Sequence, residues 1–448
     1  MTKHFIAADK VTFAAFQCDK LTFFALIFTL FFLPIYNSYT SIGIGLAIFF
    51  FLVKTSLSLP KINKTGLHTF LYCFLLICLF SLLFSTDRGE TLKGLKKLSM
   101  HVFLYFSLIN SVNSKERLKW IICFFILSAL IVSLDGFYQL AYGTDWFSGR
   151  PVYKYPYWQI RRISASFHQA GSLGMYLGAA VPIAWSFIFI NTRPFIKRIT
   201  ASFSALIITL ALILSFTPGA ALGLIFALLF FIMLKKGGKY LWYSSVFITT
   251  GIFLLPYSLI GSFLTTIIGR VSMWAIAVKI FFMHPVFGAG LRTFPLNYQK
   301  YCPAGYPFYR ECPPYAHNMY LQLLSEIGLI GLICFLIFLY VLISKLTTVC
   351  IGKKDPMLST VSLGLAGSFV VYITHGVFES SIYTSQGGTL FWLLTGLMAS
   401  CILVSLRKQN EAPRASAAKR RDLAPGGKNP KMYKYPIEDK DVRNTLFL

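Results

Sequence analysis

The feature that most constrains this chain is a series of apolar runs, each roughly 15 to 23 residues long, that recurs from Leu21 to Leu406. A helix of that length satisfies its own backbone hydrogen bonds and is long enough to cross a hydrocarbon layer. Repetition of such runs therefore dictates an all-α integral membrane protein. Of the 448 residues only 13% are charged and 56% are hydrophobic, whereas a soluble domain carries about a quarter charged residues. The runs predict about twelve spans, near 21–35, 41–54, 67–84, 98–112, 117–135, 169–190, 199–216, 220–234, 240–262, 322–344, 357–374 and 388–405. These form a polytopic membrane domain over residues 1–406. From Arg407 to Leu448 the chain is polar, rich in Ala and Pro and net basic, and reads as a disordered cytoplasmic tail.

The net charge of +26 would suit nucleic acid if it were gathered on one face. It is instead parcelled out between spans, so no nucleic-acid partner is expected. Each of KTSLSLPKINK, NSKERLKW, NTRPFIKR, KKGGK and KLTTVCIGKK carries three Lys or Arg. By the positive-inside rule these are the internal loops, and both termini are cytoplasmic. The first run, ending at Pro34, has no small-residue cleavage pattern and is read as a retained span.

Two external segments stand out. Residues 136–168 combine Tyr138, Trp146, Phe147, Tyr153, Tyr155, Tyr157 and Trp158 with Arg150, Lys154, Arg161 and Arg162; such rings form an interfacial belt or stack on sugars. Residues 263–318, between spans nine and ten, form the longest connection, and long ordered connections are usually functional. Charge persists in an apolar chain where it lines a cavity or does chemistry, which singles out Arg270 and His317. Arg270 offers a planar fork of donors suited to phosphate, and His317 is a proton acceptor near neutral pH. Around them lie Gly288 and Gly290, where the backbone can bend or approach a ligand, Arg292, Asn318 as cap or ligand, and Glu326 as an orienting group or a buried structural one. Cys302 and Cys312 share this external segment and are expected to form a disulfide. The sequence has no P-loop, and no external Asp-x-Asp pair to hold a divalent cation. No cofactor or metal is expected, and an external enzyme working without either needs an already activated substrate.

Arg270 and Trp274, then Pro285, Phe287, Gly288, Gly290 and Phe294, then Ala316, His317, Asn318, Tyr320, Leu321, Glu326, Gly328 and Gly331 resemble the O-antigen ligase and polymerase superfamily of bacterial envelope glycosyltransferases, most closely an O-antigen ligase. RISASFHQAGSLGMYLGAAVP, entering span six, is similar to the family too. The resemblance implies twelve spans with a large periplasmic loop between helices nine and ten, in a bacterial inner membrane. It implies a metal-independent, inverting transfer of glycan from undecaprenyl pyrophosphate to the lipid A core oligosaccharide on the periplasmic face. His317 would act as base toward the acceptor hydroxyl and Arg270 would bind the pyrophosphate. One departure is visible: where many relatives have Ser-Arg-Gly between spans seven and eight, this chain has Thr217, Pro218 and Gly219. Arg161, Arg162 or Arg292 would then supply the second cation. A polymerase and a protein O-oligosaccharyltransferase would use the same His and Arg, and a twelve-span glycan or lipid transporter fits the hydropathy equally well.

Overall fold

A computed structural model of the chain describes residues 2–58, 66–154, 161–188, 195–236, 257–304, 313–352 and 355–422. Among these residues it forms thirteen α-helices: α1 (Thr2–Phe32), α2 (Asn37–Leu57), α3 (Leu67–Phe80), α4 (Arg88–Ser111), α5 (Lys115–Tyr142), α6 (Ala170–Ile188), α7 (Phe195–Leu214), α8 (Pro218–Lys236), α9 (Tyr257–Met283), α10 (Phe294–Tyr301), α11 (Met319–Ile351), α12 (Pro356–His375) and α13 (Ser385–Asp422). A two-residue antiparallel ladder, β1 (Tyr153–Lys154) with β2 (Arg161–Arg162), sits between α5 and α6. Seven of the helices are long and apolar enough to cross a membrane, and three more, within α3, α7 and α8, are apolar but shorter. The chain is a multi-pass membrane protein.

Local chemistry explains the helix boundaries. Asp87, Ser114 and Asp355 sit at N-caps and accept hydrogen bonds from Glu90 N, Arg117 N and Met357 N, meeting donors that the first turn leaves free. Pro356 follows its cap at the first helical position, where a missing N–H costs nothing. Gly143 closes α5 with φ +88°. The leucines and lysines at 92–98 and the span expected near 98–112 prove to be one continuous helix, α4. The expected long external connection is itself largely helical, because α9 carries Arg270 within it and α10 lies in it. Span nine, expected near 240–262, falls mostly outside the described residues.

The membrane window of α13 is 89% buried whereas that of α2 is 28% buried, so α13 is central and α2 peripheral. α12 packs against both α6 and α8; at the α8 contact a Cβ on Gly223 would lie 2.8 Å from Val371 Cα. Small residues that let backbones approach this closely are a means by which helices associate in lipid. The helix of α13 continues past Arg407 to Asp422, so this part of the tail is helical where the sequence reading expects disorder. Residues 423–448 lie outside the described residues.

At one end of the bundle the Asp19 carboxylate of α1 receives Lys54 Nζ from α2 and Arg117 Nη1 from α5, each at 2.5 Å, while Lys115 pairs with Asp355. Following the chain through the helices puts the α1–α2 and α7–α8 turns, the start of α11 and the end of α12 at the opposite end. The aromatic segment gathers there too: Tyr138, Tyr142, Trp146 and Phe147 form successive ring contacts, and Tyr36 OH donates to Phe147 O at 2.7 Å. Tyr155, Tyr157 and Trp158 lie outside the described residues.

Candidate active site

At that end, the entry to α11 docks against the exit from α12. Met319 N donates to Gly376 O at 2.7 Å, Asn318 N to Ser380 Oγ at 3.2 Å, and Tyr320 OH to Ile373 O at 2.8 Å. Asn318 caps α11, its Oδ1 accepting from Tyr320 N and Leu321 N at 3.0 Å each. The residue before the cap is His317, held at φ +48°. A left-handed conformation is uncommon for a residue with a Cβ, and such strain gathers at functional sites.

Docking brings His317 to a residue that the sequence reading missed. Glu379, in the turn after α12, accepts from His317 Nδ1 at 2.8 Å with Oε2 and from Arg270 Nη2 at 2.5 Å with Oε1. Arg270 Nη1 also donates to Phe378 O. One carboxylate thus joins Arg270 of α9 and His317, across 109 and 62 positions of sequence. Burial alone would raise the Glu379 pKa, but the hydrogen bond and charge of His317, then the charges of Arg270 and His375, overcome it and hold the carboxyl down to about 2. Glu379 is therefore an anion at any physiological pH. An anionic acceptor at Nδ1 fixes the ring proton there and leaves the Nε2 lone pair as the basic position. Arg270 keeps further N–H donors for a ligand, since its five are not exhausted by two contacts. The arrangement can hold an oriented base beside a phosphate-binding cation.

Glu326, two turns into α11, is fully buried and does not reach this carboxylate. Its oxygens accept from Arg292 N at 2.9 Å, Phe294 N at 3.2 Å and Gln322 Nε2 at 3.1 Å. Gln322 in turn accepts from Ala316 N at 2.8 Å with Oε1. Glu326 thus supports the backbone beside His317 through one intermediary. The Gly288 and Gly290 segment lies against a break in α11: Gly328 has φ +69°, Ala289 N and Gly290 N donate to Ser325 O and Glu326 O at 2.9 Å, and Leu329 N donates to Pro285 O at 2.9 Å. A Cβ on Gly288, itself at φ +73°, would fall 2.2 Å from Glu326 C. The structure gives these glycines a backbone-docking role. Arg292, at φ +63°, points its guanidinium toward Glu90 at 3.4 Å.

Arg162 Nε donates to Ser215 O at 3.1 Å, which places it at the α7–α8 turn, two residues before Thr217. That turn borders the site, since a Cβ on Gly219 would meet His375 Nδ1 at 2.9 Å and Phe378 at 3.1 Å. Pro218 is exposed beside it, and Arg161 is exposed on β2. Cys302 is buried at the end of α10; its expected partner Cys312 lies outside the described residues. Arg270, His317 and Asn318 are therefore brought together, Arg292 and Glu326 make an adjoining group with the two glycines, and Arg162 stands at the neighbouring turn. The sequence did hold a signal for Glu379, as the only acidic residue between Asp355 and Glu411.

Residues 203–336 match the family described as O-Antigen ligase. The matched stretch includes the α7–α8 turn, Arg270, Gly288, Gly290, His317 and Glu326, and ends before Glu379. A search of curated proteins gave no match.

Proposed function

We propose that this chain, whose residues 203–336 match the O-antigen ligase family, transfers a glycan from undecaprenyl pyrophosphate to the lipid A core oligosaccharide. The reaction takes place at the periplasmic face of a bacterial inner membrane. The chain crosses that membrane about twelve times and keeps its termini in the cytoplasm. The observation that carries this reading is the single carboxylate of Glu379 bound to both His317 and Arg270.

The acceptor hydroxyl gives its proton to His317 Nε2 as its oxygen attacks the anomeric carbon. The bond from that carbon to the pyrophosphate oxygen breaks on the opposite side, which inverts the centre. Undecaprenyl pyrophosphate leaves carrying the electron pair, and Arg270 steadies its charge. Glu379 stabilises the imidazolium that forms, as a carboxylate behind a catalytic histidine does elsewhere. With Pro218 in the family's arginine position, Arg162 supplies the second cation from across the turn. Glu326 holds the 292–294 bend and, through Gln322, the backbone at His317. The base and the cation need no metal to perform these steps.

The acceptor is tested by mass spectrometry of the product made from lipid-linked glycan and lipid A core together. Glycan on the core is expected. Lengthening of the glycan on its polyprenyl carrier would make the protein a polymerase, and glycan on neither would overturn the transferase reading.

A further inference from the structure

Beside the His317 site lies a cavity of about 380 Å³, within the roughly 300–1,000 Å³ usual for small-molecule sites. One face of α4 runs along it, through Glu90, Gly94, Lys97 and His101, a length of about 16 Å at 1.5 Å per residue. Arg292 and Tyr315 border it, and Trp392 of α13 and Phe74 of α3 add apolar surface. The cavity shares its backbone with the proposed active site: Tyr315 precedes His317 by two residues, and Ile382 and Tyr383, which also line it, follow Glu379 within four.

Its lining selects among occupants. A hydrocarbon chain would strip water from the Lys97 ammonium, which has the Tyr383 carbonyl oxygen at 2.6 Å as its hydrogen-bond acceptor, and burying a charge so poorly compensated is costly. A phosphate would meet the carboxylates of Asp87 and Glu90 in the same space. Glu90 is already shared between Lys93 at 2.6 Å and Arg292 at 3.4 Å, so the rim presents donors and acceptors together. A neutral polyhydroxyl ring matches this, because each hydroxyl both donates and accepts, and its apolar face sets against the Tyr315 ring.

We infer that this cavity is a saccharide-binding subsite, in which Lys97, Glu90 and Arg292 hold the hydroxyls of a pyranose whose neighbour in the glycan reaches His317. The inference rests on the glycan-transfer reading for its choice of sugars, but its test does not need turnover. The full chain in lipid nanodiscs is titrated with two lipid-free probes, the core oligosaccharide released from lipid A and the repeat oligosaccharide released from its carrier. Wild type is compared with Lys97→Met and with Leu296→Trp, which narrows the cavity at its rim. Binding of the core probe that weakens about tenfold or more in both variants supports the subsite and assigns it to the acceptor. The same pattern with the repeat probe supports it and assigns it to the donor. Failure of both probes to bind at millimolar concentration, or equal affinity in all three proteins, overturns it. Probe binding in a protein that transfers no glycan would sink the transferase reading and leave the subsite standing.

Discussion

Replacing Glu379 by Gln tests the least expected part of the site, because the side chain keeps its shape but loses its charge and one of its two acceptor oxygens. In the native protein the carboxylate takes one contact from His317 Nδ1 at 2.8 Å and another from Arg270 Nη2 at 2.5 Å. Hydrogen bonds to a charged group contribute about 1.5–3 kcal/mol each, and neutral ones about 0.5–1.5 kcal/mol. One contact is reduced to neutral strength and the other, which then faces the amide N–H2, is lost, about 2.5–4.5 kcal/mol in total, which is roughly 70- to 2,000-fold in rate if the loss is felt in the transition state. It should be felt there, since the imidazolium and the departing pyrophosphate carry their full charge only during reaction. The assay is transfer of a labelled lipid-linked glycan to lipid A core under saturating substrate, with thermal unfolding of the same preparations followed in parallel. The expected result is a fall in kcat of that size with the protein still folded. A folded Glu379→Gln protein within threefold of wild type would refute the argument that this carboxylate orients the base.

Gly288→Ala places a Cβ against the Glu326 backbone at φ +73°; strain of this kind costs about 1–3 kcal/mol before the clash is added, so a lower melting temperature is expected by scanning fluorimetry. Arg162→Ala should raise the KM for the lipid-linked donor about tenfold or more, as loss of a charge-assisted contact does, and Pro218→Arg, which restores the family's arginine, should recover most of it in the double variant. The Glu379 pKa is depressed from 4.5 to about 2 by its partners, so its contribution to stability is complete above the ordinary value and is lost as the pH falls toward the depressed one. The difference in melting temperature between wild type and Glu379→Gln should accordingly shrink below about pH 4.

Hydropathy made the membrane architecture legible, and the scarcity of charge made Arg270 and His317 visible. Glu379 escaped because sequence spacing does not report which turns meet at the end of a bundle. It becomes a partner only when α12 delivers its exit turn to the entry of α11. Glu326 was nearer in sequence and drew attention as the orienting acid, yet the break at Gly328 and the docked 285–290 segment turn its carboxylate toward Arg292 N and Phe294 N. The Gly-x-Gly pattern was readable as a bend, but its reason, a backbone lying against a broken helix, belongs to tertiary packing. The missing arginine at Pro218 was plain in the sequence. Arg162 is the arginine proposed to replace it because its hydrogen bond to Ser215 O sets it at the α7–α8 turn.

The most direct measurement is glycan transfer by purified protein in EDTA, from undecaprenyl pyrophosphate-linked glycan to lipid A core, with His317→Ala and Arg270→Ala beside wild type. The account predicts product on the core from wild type, reduced by roughly 10²- to 10⁴-fold when the base is removed and strongly reduced without the arginine. Transfer undiminished in the His317→Ala protein, or product from wild type only when a divalent metal is added back, would contradict it.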